Sequence, residues 1–279
     1  MDEAWVAGDL VEVSAGAASA RNALVLDGTH EATVLGEGLS ARGWRTFRSS
    51  APLRHTQGLD LVVLFGYRHM VPKSVLDAAT ARMINLHISY LPYNRGAHPG
   101  FWCFYDGTPC GVTIHEVDEG LDTGPVLAQQ LVDIDPWTAT FDEAYWRLRS
   151  SIETLFFGLL PSLEDGTAQG RRQLGAGSSR RAAQLPSDFA GWGSVIGFEI
   201  ERLHALRSAE DQRAQELISR IEQVRSSNNV NWMDILRLAF STSPDRAKQI
   251  LARINQDDGE IASLLSQLAS GLPSGDVQS

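Results

Sequence analysis

The chain has 279 residues, of which 43% are hydrophobic and 21% are charged. This length fits one large domain or two modest ones, and the apolar fraction is too high for general disorder. The net charge of −10 argues against a general nucleic-acid or anionic-membrane binder, because such proteins carry a basic footprint. We therefore expect a folded protein with neither nucleic-acid nor membrane partners.

Two further features bear on the compartment. No run approaches the roughly 20 apolar residues that a spanning helix needs, and the acidic N-terminus MDEAWVAGDL lacks the positive segment of a signal peptide. Cys103 and Cys110 are the two cysteines, and their spacing matches neither a disulfide framework nor a Cys-x-x-Cys site. We expect free thiols and a cytoplasmic location.

Strands and helices alternate through residue 160. The predicted strands are 23–26, 44–47, 59–65, 83–89, 112–117 and 126–132, and the predicted helices are 30–42, 73–82 and 140–160. The segment 59–65 (LDLVVLF) is nearly continuously apolar, as is typical of a parallel strand covered on both faces. The alternation predicts an α/β fold, a Rossmann-like, doubly wound and mostly parallel sheet.

The composition changes after residue 165. Acidic residues are absent from 166 to 187, and the charges there are Arg171, Arg172, Arg180 and Arg181, which we interpret as a solvated linker or as contacts to nucleotide phosphates. Leucine and isoleucine then recur at helical spacing. The predicted organisation is a flexible tail (1–20), an α/β domain (21–165), a linker (166–198), a helical domain (199–270) and a second tail (271–279). A loose first strand is the alternative for residues 1–20. We hypothesise that the C-terminal helices form a homodimer or dock a partner.

Polar residues at the end of one predicted strand carry the chemistry. Asn85 and His87 lie two residues apart and therefore share one face of the strand. The loop 90–99 follows, at the strand end where α/β sheets form their sites. Asp122 lies in the turn GLDTG. Together these residues could supply an oxyanion donor, a proton carrier and an orienting carboxylate. By spacing alone, however, a polar pair on a strand is more often a hydrogen-bonded structural feature.

The sequence motifs around these residues are more specific indicators of function. INLHISYLPYNRGAHP followed by GVTIHEVDEGLDTG resembles the folate-dependent formyltransferase family, whose pattern is an N-x-H strand, an L-P-x-x-x-G loop, then G-V-T-x-H and L-D-x-G. The likeness is strong over 59–160 and weak over 21–58. Within the family, the sequence looks most like the sugar-nucleotide N-formyltransferases.

The resemblance implies roles for three residues. Asn85 would stabilise the oxyanion on the formyl carbon, and His87 would contact the same centre and help to move the amine proton. Asp122 would orient His87 and accept that proton. The implied co-substrate is N10-formyltetrahydrofolate, and no metal is expected.

The resemblance also implies two binding regions. The pterin would lie between the turn after strand 59–65 and the loop before Asp122. The implied folate-binding residues are Phe65, Gly66, Tyr67, Arg68, Met70, Val117, Glu119, Gly120 and Leu121. The implied substrate-binding residues are Ser89, Tyr93, Asn94, Arg95, Gly96 and His98. For Arg95 a role in bracing the loop stays open, and His115 is either structural or a support to the site.

The acceptor amine is argued from differences within the family. The C-terminal part lacks the alternating strands of the β-barrel in methionyl-tRNA formyltransferases, and the net charge of −10 disfavours tRNA further. We therefore expect a small-molecule amine on a nucleotide-linked amino-deoxysugar. The alternatives are another small-molecule amine, a hydrolase of formyltetrahydrofolate, and a non-catalytic interaction protein built on this fold.

Overall fold

The computed structural model describes residues 5–14, 21–28, 33–229, 255 and 258–267. The chain divides into two compact units, Met1–Ile200 and Glu201–Ser279. The first unit contains the predicted α/β domain, and the second contains the C-terminal helices.

A seven-stranded sheet forms the centre of the first unit. The strands of the chain are β1 (Val11–Ser14), β2 (Asn22–Asp27), β3 (Arg45–Ser49), β4 (Leu61–Phe65), β5 (Arg82–His87), β6 (Arg95–Gly96), β7 (Gly111–Glu116), β8 (Val126–Leu131) and β9 (Ser179–Arg180). The order in the large sheet is β1-β3-β2-β4-β5-β7-β8. Strands β3, β2, β4 and β5 are parallel, while β1, β7 and β8 pair antiparallel. The predicted Rossmann-like α/β class is confirmed.

The helices are α1 (Thr33–Ser40), α2 (Lys73–Asp77), α3 (Pro99–Tyr105), α4 (Phe141–Glu164) and α5 (Ile196–Asn229). Helices α1 and α4 pack on strands of the sheet. The longest helix of the α/β domain, α4, begins with a capping box between Thr140 and Glu143. Its face toward the sheet is apolar and buried, with Leu148, Ile152 and Phe156 at a spacing of four residues. Strand β4 is buried along its whole length, as its continuous apolar run predicts.

Part of the predicted N-terminal tail is ordered against the sheet. β1 pairs with β3, and Val6 is buried and bridges to Leu53. The expectation of a flexible tail over residues 1–20 is therefore wrong for this part, because β1 pairs with the otherwise open edge of β3.

Helix α2 ends at Asp77, five residues before the predicted end at residue 82. The Thr80 N–H donates to the hydroxyl of Thr56 (2.9 Å), and the Thr80 hydroxyl donates to the Thr56 carbonyl (2.9 Å). These long-range bonds replace the helical ones, so the chain leaves the helix early and enters β5 at Arg82.

The segment 166–198 is packed rather than a linker. It lies within the first unit, where β9 pairs with β6 and Arg171 bridges to Val126. Arg180 donates to both oxygens of Asp106 (2.9 and 2.8 Å) and lies over the Trp102 ring, 4.4 Å from its centroid. The Arg180 guanidinium is therefore bonded within the protein and is not free to bind a phosphate.

The two cysteines form a disulfide, which corrects the expectation of free thiols. Cys103 lies in α3 and Cys110 directly before β7, and the turn between them brings their Cα atoms to 5.3 Å, within bonding range. Sequence spacing alone does not reveal this fold-back. The argument from cysteine usage to a reducing compartment consequently loses its support.

The second unit is helical where it is described. Ile221 of α5 packs with Ile261 and Leu264 from the helical stretch 258–267, whereas Leu206 and Leu265 are exposed. Other positions of the predicted apolar stripe, Ile250, Leu251, Ile254 and Leu268, lie outside the described residues. Among the helices that the structure describes, none has the length and apolar content to cross a bilayer.

Candidate active site

Strand β5 delivers the first two polar side chains. Asn85 and His87 lie on one face of its carboxyl-terminal end, and Leu86 between them is buried on the other face. His87 is buried, and its Nε2 lies 3.0 Å from the Asn94 carbonyl oxygen. Since a carbonyl only accepts, Nε2 carries the proton in this arrangement.

The carboxylate of Asp122 is the meeting point of the site. Its Oδ2 accepts from the Gly96 N–H (2.7 Å), and its Oδ1 accepts from Asn85 Nδ2 (2.9 Å). His87 Nε2 lies 3.7 Å from Oδ2. Asp122 has a left-handed backbone (φ 52°), which Asp and Asn tolerate better than most residues. The turn thereby aims a buried carboxylate at both the strand β5 pair and the loop after it.

His115 is a fourth member of the cluster. It lies on β7 directly opposite Asn85 in the strand register. Its Nδ1 donates to the Glu116 carbonyl (2.8 Å), so its Nε2 is an acceptor, 3.2 Å from Asn85 Nδ2. Nε2 is also 3.6 Å from Asp122 Oδ1. Of the two interpretations left open by the sequence, the structure therefore places His115 as a support to the site.

Burial and attraction to nearby groups have opposite effects on the pKa values of the cluster. Burial by itself would raise the pKa of Asp122, but His87, His115 and the Gly96 N–H outweigh it and hold that pKa well below its usual range. Burial lowers the pKa of His87 below 6.5, and the nearby Asp122 charge opposes this only in part. At neutral pH the site therefore holds an ionised carboxylate beside an uncharged imidazole.

A cleft of about 70 Å³ opens onto Asn85, His115 and Asp122, and His87 lies outside its lining. Five of the implied folate residues line it: Tyr67, Met70, Val117, Gly120 and Leu121. The cleft is also lined by His69 and Asp118, which lie in the turn after β4 and in the loop before Asp122 that the resemblance implies. Leu64 and Val71 complete the lining, and the sequence did not single them out. The turn after β4 and the loop before Asp122 thus face each other across the cleft, as the resemblance implies.

The remaining implied folate residues lie outside the lining of this cleft. Phe65 is buried beneath the Arg149 guanidinium, 5.2 Å from its ring centroid, and Glu119 forms an exposed ion pair with Lys73. Gly66 supplies the left-handed turn after β4 (φ 64°), and Arg68 is exposed. These residues shape or flank the turn.

Several of the implied substrate-binding residues form hydrogen bonds that stabilise their own loop. The Ser89 hydroxyl donates to the Tyr93 carbonyl (3.0 Å). Asn94 is fully buried, and its side chain bonds Thr108 (2.8 Å) and Ser178 (3.1 Å). The side chains of Ser89 and Asn94 thus use their polar atoms within the protein, and contact of these two residues with a substrate stays a prediction. Tyr93 is partly exposed.

Gln173 is a site residue that the sequence did not reveal. Its Nε2 donates to the carbonyls of Asp122 (2.8 Å) and Gly124 (2.9 Å), and its Oε1 accepts from Arg95 Nη2 (2.7 Å). One side chain therefore ties the Asp122 turn to the loop that contains Gly96. For Arg95 this geometry favours the bracing role over binding a substrate anion. Only the packing of segment 166–198 brings Gln173 here.

His98 lies apart from the cleft, at a second cavity of about 380 Å³. This cavity is lined by Ile88, His98, Pro99, Gly100, Phe101, Phe141, Asp142, Tyr145 and Trp192. The residues that line it and the residues that line the cleft do not overlap. Within the described part of the chain, no group of three or more His, Cys, Asp or Glu side chains is arranged to hold a metal ion.

The site combines an amide, two imidazoles and a buried carboxylate beside a cleft, at the carboxyl end of a parallel strand. These features define the class of protein as an α/β domain with a proton-transfer site. The family model described as formyl transferase matches residues 45–157. The formyltransferase PseJ from Anoxybacillus kamchatkensis, solved with UDP-4,6-dideoxy-4-formamido-L-AltNAc and tetrahydrofolate, is 31% identical with a TM-score of 0.56. That match covers 63% of this chain and 95% of PseJ. The chain belongs to the formyltransferase family.

Two curated relatives each match part of the chain. A dTDP-4-amino-4,6-dideoxyglucose formyltransferase of Mycobacterium bovis is 35% identical over 108 residues, 39% of this chain and 45% of the relative. A methionyl-tRNA formyltransferase of Geotalea daltonii is 46% identical over 78 residues, 28% of this chain and 25% of the relative. The chain thus spans less than half the length of each of these relatives.

The opposing effects of burial and of the Asp122 charge on the pKa of His87 predict the result of an NMR titration. In the unaltered protein the His87 imidazole titrates below pH 6.5. In Asp122→Asn its pKa falls further, because the carboxylate charge that favours the imidazolium is gone. The pKa of His98, lowered by burial alone, should not change and serves as the internal control. An increase of the His87 pKa in the variant contradicts the described electrostatics.

Proposed function

We propose that the protein transfers the formyl group of N10-formyltetrahydrofolate to a primary amine of a nucleotide-linked amino-deoxysugar. The observation that carries the proposal is the convergence of Asn85, His87 and the Gly96 N–H on the buried Asp122 carboxylate, beside a cleft. A formyl transfer needs these parts, since the amine loses a proton and the formyl oxygen gains negative charge.

His87 is the proposed proton carrier. Its lowered pKa keeps the imidazole uncharged at neutral pH, so it can take the proton of the attacking amine. Asp122 has too low a pKa to be an effective base itself, and its charge instead stabilises the imidazolium that forms. This modifies the role implied by the family resemblance, in which Asp122 accepts the proton. As the bond from the formyl carbon to folate N10 breaks, the imidazolium returns the proton to that nitrogen.

Asn85 is the proposed oxyanion donor, with one condition. Both N–H bonds of its amide are already used, one toward Asp122 and one toward His115. Contact with the formyl oxygen therefore requires one of these bonds to be exchanged. The longer bond, to His115 (3.2 Å), is the one that we propose is released.

The cleft suits the flat ring of a folate. Its walls include the apolar side chains of Leu64, Val71 and Val117, and its rim offers the carboxylate of Asp118 to ring N–H groups. When bound, the folate supplies an activated formyl group. The chain's own residues fix that group beside Asn85 and Asp122, which line the same cleft.

The acceptor class rests on the relatives. The M. bovis relative is named for a dTDP-linked amino sugar, and PseJ was solved with a UDP-linked formamido sugar. We also propose that the protein is cytoplasmic, where folate and nucleotide sugars are metabolised, and that the C-terminal helices form a homodimer, since Leu206 and Leu265 are exposed. Cell fractionation and light scattering test these two points, and a monomeric mass would rule out the dimer.

The alternatives are separated by following free tetrahydrofolate. Purified protein receives N10-formyltetrahydrofolate with and without amino sugars linked to dTDP or UDP. Release that depends on the amino sugar supports the proposal, and release without any acceptor indicates a hydrolase. Release only with other small-molecule amines indicates the second acceptor class. No release, together with no shift of the melting temperature by folate, indicates a non-catalytic protein.

The Asp122→Asn variant should lose turnover by two to four orders of magnitude, roughly the range of general acid–base catalysis, while staying folded. Asn tolerates the left-handed backbone but cannot stabilise the imidazolium by charge. The readout is kcat for formyl transfer, beside the melting temperature. Asp133→Asn, an exposed carboxylate outside the cleft, is the control. Near-normal turnover of Asp122→Asn disproves the assigned role.

The Gln173→Ala variant tests the tie between the two loops. Loss of its bonds to the carbonyls of Asp122 and Gly124 should lower kcat by about tenfold, because small misplacements of catalytic groups are costly. Gln215→Ala, on the exposed face of α5, is the matched control. Since Gln173 only positions Asp122, the pH dependence of kcat should keep its shape. An unchanged kcat would show that the turn holds Asp122 unaided.

A further inference from the structure

The disulfide between Cys103 and Cys110 has no part in the chemistry described so far. It closes the loop 103–110, which runs from within α3 to the residue before β7. These are the two cysteines of the chain, so no other thiol of the chain competes for either of them. Side chains of this closed loop are connected to the catalytic residues along two paths of hydrogen bonds.

The first path ends at His87. The Thr108 hydroxyl, in the closed loop, accepts a hydrogen bond from Asn94 Nδ2 (2.8 Å). Asn94 is fully buried and has a left-handed backbone (φ 58°), a conformation that its side-chain bonds help to hold. The Asn94 carbonyl oxygen lies 3.0 Å from His87 Nε2. A movement of Thr108 would therefore shift the group that orients the proposed proton carrier.

The second path ends at Asp122. The Asp106 carboxylate, also in the closed loop, accepts two hydrogen bonds from Arg180 (2.9 and 2.8 Å). The Arg180 carbonyl accepts from the Ala97 N–H (2.9 Å), where β9 pairs with β6. In β6, Gly96 donates its N–H to the Asp122 carboxylate (2.7 Å). The closed loop thus also holds the strand that supplies a hydrogen bond to the buried charge.

The closed loop also has backbone bonds that do not depend on the disulfide. The Thr108 N–H donates to the Cys103 carbonyl (2.9 Å), and the Val132 N–H donates to the Cys110 carbonyl (3.1 Å). Reduction leaves these bonds in place and removes only the covalent link between α3 and the start of β7. We therefore expect reduction to loosen the placement of Thr108 and Asp106 without unfolding the domain.

The two sulfur atoms differ in access to a reductant. Cys103 is 3% exposed, whereas Cys110 is half-buried, so an external thiolate reaches the Cys110 sulfur more easily. The Cys103 sulfur lies 3.7 Å from the Gly100 carbonyl oxygen, which would accept its S–H after reduction. In the cytoplasmic location proposed above, disulfides are typically transient and redox-sensing.

We propose that Cys103 and Cys110 form a redox modification site that controls the rate of formyl transfer. The disulfide form is the more active one, and a small-molecule thiol of the glutathione class slows the reaction by reducing it. The inference rests on the proposed function, because the reaction that it regulates is the proposed formyl transfer.

The reduction is a two-step exchange. The thiolate of the reductant bonds to the Cys110 sulfur, and the bond between the two cysteine sulfurs breaks. Its electron pair goes to the Cys103 sulfur, which takes a proton from water. A second reductant thiolate then bonds to the sulfur of the first and releases Cys110, which is protonated in turn. Two thiols of the reductant thereby become its disulfide, and two electrons pass to the protein.

A redox titration of the full chain tests the proposal. The protein is equilibrated with a series of ratios of reduced to oxidised glutathione. Alkylation followed by intact mass counts the free thiols, and kcat for formyl transfer is measured in the same buffers. As two free thiols appear, kcat should fall by about three- to tenfold, because small misplacements of catalytic groups are costly. Reoxidation should restore kcat, and melting temperatures show that both forms are folded.

Variants test the path through Thr108. With the disulfide intact, Thr108→Val should lower kcat, since Asn94 loses its acceptor, and reduction should then cause a smaller further loss than in the unaltered protein. Thr108→Ser keeps the hydroxyl and should keep the full redox response. Thr154→Val, at an exposed position of α4, is the matched control and should also keep it. The double variant Cys103→Ser with Cys110→Ser should show the kcat of the reduced protein in every buffer.

The His87 imidazole gives a readout that does not require turnover. Its ring 15N signals distinguish the two tautomers, and in the disulfide form Nε2 should carry the proton because it faces the Asn94 carbonyl. In the reduced form the signals should move toward the other tautomer. The signals of His204, which is exposed on α5, should not change.

Three results overturn the proposal: the folded protein contains free thiols under oxidising conditions, glutathione leaves the disulfide intact at every ratio, or the reduced protein turns over as fast as the oxidised one. A full redox response of Thr108→Val overturns the path through Asn94. Failure of the proposed function is a separate result. If no formyl transfer occurs but the His87 signals follow the redox state, the activity is refuted, and the connection between the disulfide and the site is supported.

Discussion

A single buried charge organises the catalytic end of this molecule. The Asp122 carboxylate lies among Asn85, His87 and His115, and the Gly96 N–H completes its coordination. Burying an anion raises the free energy of the folded state unless polar partners surround it. The folded state therefore favours the arrangement in which each partner stays beside the ionised carboxylate. The strand β5, the strand β7 and the loop after β5 are thereby fixed relative to one another at the point where the cleft opens.

The loops around this charge are held from outside the matching family region. Gln173 and β9 belong to segment 166–198, beyond residues 45–157, yet they bind the Asp122 turn and the strand β6. Asn94 and Arg95 are fastened to the same segment through Ser178 and Gln173. The catalytic geometry thus depends on a part of the chain whose composition is that of a loop, and the packing of this part also builds the wall of the aromatic cavity at Trp192.

The sequence predicted the features that follow from local periodicity. The continuous apolar run of β4 and the shared face of Asn85 and His87 need only the two-residue repeat of a strand. The contact of His115 with the site does not follow from local periodicity, because its place opposite Asn85 depends on β5 and β7 being antiparallel, which no local pattern specifies. The disulfide and the role of Gln173 were missed for a related reason: both arise from the chain folding back on itself, and spacing along the sequence does not encode that approach.

The most direct test of this account is the titration of the Asp122 carboxyl carbon by 13C NMR in the folded protein. The described partners predict that Asp122 stays ionised well below pH 3.8, the ordinary midpoint for an aspartate. The signal is assigned by its loss in Asp122→Asn, and Asp133 provides an exposed carboxylate for comparison. A midpoint at or above pH 3.8 would show that burial prevails over its partners, and it would contradict the central role given to this charge.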